Sequence, residues 1–128
     1  MAGERGAATL IMLGLVVVVM ILVLLVADIS VYVGARARAQ AAADAAALAA
    51  APVTFRAFGA TGSATAEARH FAARNGAELV ECRCVHDSSF RSRTVSVLVA
   101  VPVDLALLGT TGARAWSSAD FDPTDLVP

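Results

Sequence analysis

Residues 7–27, AATLIMLGLVVVVMILVLLVA, carry no charge and almost no polar side chain. As a helix rising about 1.5 Å per residue, this run is about 31 Å long, the thickness of a bilayer's hydrocarbon core. It is longer than the apolar stretch of a secretory signal, which runs to about 7–15 residues. The A-x-A triplet at 37–39 lies well beyond it, so retention is expected rather than cleavage. The chain reads as a single-span membrane protein, with residues 1–6 as a short leader and all that follows residue 27 on one side.

Composition narrows the rest. With 128 residues, the chain holds at most one small domain besides the span. Its net charge is −1, which gives no global field for nucleic acid. The ten basic residues are all arginine and are scattered without interleaved aromatics, so no nucleic-acid partner is expected.

Nothing breaks the helix at the end of the span. Asp28 is followed by a short mixed stretch and then by ARARAQAAADAAALAAA, among the most helix-prone of natural compositions. Residues 28–51 are therefore an alanine-rich helical extension, with Gly34 as its one weak point at about 1 kcal/mol. Pro52 should end it, since proline disfavours the α conformation in the residue before it. One nearly continuous helix from about residue 7 to residue 50 is predicted, about 65 Å long.

Arg36, Gln40 and Asp44 fall on one stripe of the extension, and small side chains clothe the other faces. A helix clad in alanine lets neighbouring helices approach closely. Gly14, Gly34, Ala42, Asp44, Ala46 and Ala49 are thus the expected helix-packing positions. Asp28 joins them, either as an interfacial anchor or as a polar contact that sets register between neighbouring spans. The plainer alternative is a solvated stalk.

The remainder predicts an α+β unit. Residues 52–63 read as a loop and residues 64–118 as a small domain, followed by a disordered tail at 119–128. A short helix starts at a Ser63 or Thr65 cap and stops at Gly76. Alternation over 78–86 sets Val80, Cys82, Cys84 and His86 on one strand face. The strongest strand spans 93–103, with Val95, Val97, Val99, Val101 and Val103 on one side and Pro102 marking an edge or a terminus. Residues 105–109 suggest a helical turn, and 112–118 a third short strand. The expected fold is a long N-terminal transmembrane and alanine-rich helix, then one short helix on a two- to three-stranded antiparallel sheet.

Little chemistry is on offer. Cys82, Cys84 and His86 share a face, but zinc sites draw ligand pairs from turns and a fourth ligand is missing. Small buried thiols are the expected reading, with a Cys82–Cys84 disulfide or a metal or redox site as alternatives. His70, His86, Asp87, Ser88 and Ser89 do not assemble into a hydrolase signature, because no G-x-S-x-G elbow exists. No catalytic residue, cofactor, metal or small-molecule substrate is expected.

The run Glu4-Arg5-Gly6-Ala7-Ala8, the apolar span, Asp28 and the stretch from Ala39 to Ala49 together resemble the TadE/TadG-like proteins of tight-adherence (Flp) pilus systems, closest to the short actinobacterial TadE-like group. The resemblance covers about residues 3–51. It implies a type IV pilin-like minor structural subunit, with membrane lipid and other pilin-like or Tad assembly subunits as partners through the N-terminal helix. It also implies a cytoplasmic N-terminus and an extracytoplasmic domain. Charge counting leans weakly the other way, through Arg36 and Arg38, and the resemblance is the better guide. Gly6 matches the glycine at which pilin-like precursors are processed, although Ile11 stands where such proteins carry a glutamate. The alternative is a single-span membrane-anchored accessory or sensor whose small domain binds a partner.

Overall fold

The computed structural model describes residues 2–55 and 62–126. A single helix, α1, runs unbroken over Ala2–Val53. A second, α2, covers Ala64–Arg74, followed by strands β1 (Glu78–Arg83), β2 (Arg93–Leu105) and β3 (Gly109–Phe121) and a 3-10 turn at Pro123–Leu126. The strands form an antiparallel sheet in the order β1-β2-β3. This is the expected α+β layout.

Both helices pack on one face of the sheet, and that placement changes the role of the alanine helix. Ala35, Ala39, Ala42, Ala43, Ala46, Ala47, Ala50 and Ala51 are buried, and they join Ala64, Ala68 and Ala72 of α2 and the β2 valines in one core. The extension was expected to be a shaft for other chains. Instead it is the central element of the chain's own domain. Small side chains let α1 and α2 approach closely, while the five inward valines of β2 supply the bulk between helix and sheet.

Local signals explain the elements. The Ser63 hydroxyl accepts from the Ala66 N–H at the start of α2. At its end Gly76 takes a φ of +73°, the left-handed conformation that glycine adopts without a Cβ clash. There the Gly76 N–H donates to the Ala73 carbonyl and the Ala77 N–H to the Ala72 carbonyl, the paired bonds of a Schellman stop. Pro52 does not stop α1 where expected but sits inside its last turn. Burial of Ala50 and Ala51 holds that turn helical, and Thr54 closes it by donating its hydroxyl to the Ala51 carbonyl at 2.7 Å.

The sheet departs from the sequence pattern at two places. A register shift between Leu79 and Glu81 in β1 turns Val80 outward, while Leu79 and Cys82 both pack on the core. A bulge of this kind adds one residue and reverses strict alternation. At the other edge, residues 105–109 are not a helical turn. They close a hairpin in which Leu105 pairs with Gly109, whose φ is +72°. The third strand is correspondingly long and takes in Ala119–Phe121, with Pro123–Leu126 ordered beyond it. Paired polar groups stabilise it on the outer face: Thr94 donates to Asp120 at 2.6 Å, Ser96 meets Ser118 at 2.9 Å, and Thr110 donates to Asp104 at 2.8 Å. Pro102 lies in the central strand beyond Ala100, the last β2 residue that β1 pairs, so its missing N–H costs no bond on that side.

Candidate functional site

The part of the molecule that carries information about function is the place where α1 passes from its apolar run into the domain. The apolar half of α1 is bare. Its most hydrophobic window has a mean hydropathy of 3.5 and is not covered by any other part of the chain. Leu10 through Leu25 present a continuous exposed apolar surface, far more than a soluble protein leaves in water. A core helix would be covered, so burial separates the two readings that length alone leaves open.

Asp28 marks the end of that surface. Its residue is only 6% exposed, and its two carboxylate oxygens accept from the backbone N–H groups of Ala106 and Leu107 at 2.8 and 2.9 Å. These are charge-assisted bonds to the tip of the β2–β3 hairpin. The aspartate therefore fastens the sheet to the end of the span within one chain. The expected contact between neighbouring spans is not what its oxygens make here.

Beside this staple lies a cavity of about 460 Å3, lined by Leu25, Asp28, Ile29, Tyr32, Leu105, Leu108, Thr110 and Thr111. Its walls are mostly apolar and belong half to α1 and half to the hairpin. Leu107 and Leu108 at the tip remain exposed.

The other expected packing positions divide by face. Ala42 and Ala46 are fully enclosed by the chain's own sheet and α2 and offer no surface to a partner. Ala49 and Gly34 are half-buried, and Gly14 and Asp44 are exposed. A Cβ added at Gly6, Gly14 or Gly34 would meet nothing within 4 Å, so none of these glycines serves a close approach inside the chain. Asp44 accepts from Gln40 at 3.0 Å, and the same Gln40 amide reaches the Trp116 carbonyl at 3.2 Å. Gly6 is exposed and lies near the start of α1, ahead of the span.

The cysteines do not form buried free thiols. Cys82 and Cys84 are joined in a disulfide with Cα atoms 5.3 Å apart, a separation that the allowed range admits. The bulge in β1 brings both onto the inner side, and His86 lies exposed beyond the strand. Among the described residues no group of three or more His, Cys, Asp or Glu is gathered as a metal site would require.

At the end of the domain far from the span, sequence reading passed over an anchor. Phe55, placed in the expected loop, is buried, with its ring 5.2 Å from Phe90 and 6.4 Å from Phe121. The Arg93 guanidinium lies 5.6 Å from the Phe55 ring and donates to the carbonyls of Asp87, Ser89 and Arg91. Asp87, considered above as a catalytic acid, is instead a loop organiser. Bonds from the Ser89 backbone and hydroxyl hold its carboxyl below the ordinary 3.8. The aromatic and arginine positions 55, 90, 93 and 121 were the available signal, but they are spread over four segments: just past the end of α1, the β1–β2 loop, β2 and β3.

Residues 6–64 match a family described as "Putative Flp pilus-assembly TadE/G-like". The match covers all of α1 beyond the leader and stops at the first residue of α2. No curated protein and no solved structure matches the chain.

Proposed function

We propose, from the match of residues 6–64 to the TadE/G-like family of Flp pilus-assembly proteins, that the chain is a minor pilin-like subunit of a Tad assembly, acting through structure rather than catalysis. The chain crosses the membrane once. Its N-terminus faces the cytoplasm and its domain projects outside. Its partners are other pilin-like or Tad assembly subunits, and they meet it along the span and along the outward face of α1.

The observation that carries this reading is the bare apolar half of an otherwise packed helix. The same helix presents Gly14 in the span and Ala37, Ala41, Asp44 and Leu48 on its outward face above it. The Cys82–Cys84 disulfide supports the orientation, because such bonds persist in oxidising compartments outside the cytoplasm.

Site-directed crosslinking tests the proposal. In a Cys82→Ser/Cys84→Ser background, single cysteines at Gly14, Ala41 or Leu48 should trap neighbouring subunits in native membranes. Cysteines at Ala42 or Ala46 should not, because the chain's own domain encloses them. Absence of adducts from all three outward positions would favour the membrane-anchored accessory, in which the helix only holds the domain at the surface.

A further inference from the structure

We propose that the tip of the β2–β3 hairpin is a second membrane contact, and that the cavity between it and α1 receives an acyl chain of a bilayer phospholipid. The inference rests on the single-span reading but not on which way the span points.

Position comes first. Asp28 fixes the tip to the last turn of the apolar run by two main-chain bonds. Leu108 shares the cavity wall with Leu25 and Ile29. Leu25 belongs to the run itself, about 4.5 Å deeper than Asp28 along the helix axis. The tip therefore hangs at the level where hydrocarbon gives way to headgroups, not above it.

Chemistry agrees with position. Leu107 is 44% exposed and Leu108 75% exposed, and Leu108 shares its cavity wall with Leu25 of the apolar run. Exposed loop tips usually carry small polar residues, whereas this one reads LALLG. Backbone N–H groups are the usual obstacle to placing a turn near hydrocarbon. Here the Asp28 carboxylate already satisfies those of Ala106 and Leu107. Tyr32, Thr110 and Thr111 supply the hydroxyl groups of the cavity. Each lies farther along its element from the span than the leucines do, which is the order of an interface from apolar to polar.

The occupant is lipid because the cavity opens onto the one surface of this chain that lipid must already cover. A second copy of the chain would also bring an apolar helix, and the experiment separates the two.

The full-length protein is placed in phosphatidylcholine nanodiscs, with or without lipid brominated near the top of its acyl chains. Trp116→Phe provides an indole-free background, and Leu108→Trp or Leu107→Trp then reports from the tip. Both positions are exposed, so either indole is accommodated. The expected result is blue-shifted emission relative to Trp116 in the unaltered chain, and loss of most intensity to the brominated lipid. Water-like emission without bromine quenching would overturn the proposal. So would an indole shielded from acrylamide yet untouched by bromine, since that would assign the tip to a second protein copy. Val18→Trp in the same background separates these failures from a failure of the premise. If lipid brominated deep in the chains does not quench it, the span itself is refuted.

Discussion

Asp28 shows how one side chain decides the geometry of a whole protein. Its carboxylate satisfies two amides of a hairpin tip from across the sequence. Replacing it with alanine leaves those amides without their partner in a half-enclosed site. Asp28→Ala should cost about 2 kcal/mol, within the usual range for bonds to a charged group, and Asp28→Asn, which keeps one acceptor oxygen, should cost less. Reversible denaturation in detergent micelles would measure both, and equal stability of all three proteins would dismiss the staple. The residue itself is conspicuous in the sequence, as the first charge after a long apolar run. What it holds is not, because the donors are main-chain N–H groups 78 and 79 residues away, which no side-chain pattern announces. Phe55 is the opposite case. Its partners are aromatic, but it opens the stretch FRAFGATGS after Pro52, whose glycines, threonine and serine give it the look of a loop and conceal an anchor.

At the scale of elements, the existence of α1 and β2 is legible because one periodicity dominates each. The unbroken apolar run and the alanine stretch leave no alternative to helix, and five alternating valines leave none to a strand with one buried face. The direction in which the alanine face looks is not legible, because alanine is equally suited to an internal core and to a partner helix. The structure chooses the core for Ala42 and Ala46. Ala46→Leu should therefore overpack the interior and cost about 1–3 kcal/mol. Ala41→Leu, on the exposed side of the same helix, should change stability by no more than about 0.5 kcal/mol. Similar losses at the two positions, read from chemical denaturation, would show that the helix is not packed as described. The full length of β3, Gly109–Phe121, is not legible either, for a plain reason. Its start, GTTGA, offsets two strand-favouring threonines with two glycines and shows no apolar alternation, and pairing with β2 along its full length makes it a strand.

The molecule as a whole divides differently in space than along the chain. Sequence composition suggests an anchor, a stalk and a domain, and each has its own texture. In space the stalk is part of the domain, since the buried alanines of α1 pack against both the sheet and α2. A fragment comprising residues 54–128 should therefore fail to fold, lacking one side of its core. A fragment starting at residue 29 keeps every buried alanine and should retain a sheet, though loosened at the hairpin for want of Asp28. Circular dichroism and amide exchange on the two fragments would decide. A stable, cooperatively folded 54–128 fragment would contradict the arrangement.

The continuity of α1 has a mechanical meaning. This protein has no slack. The same unbroken helix that carries the bare apolar run packs its alanines against the valine layer of the sheet, so the domain is coupled to the anchor by a rod rather than a hinge.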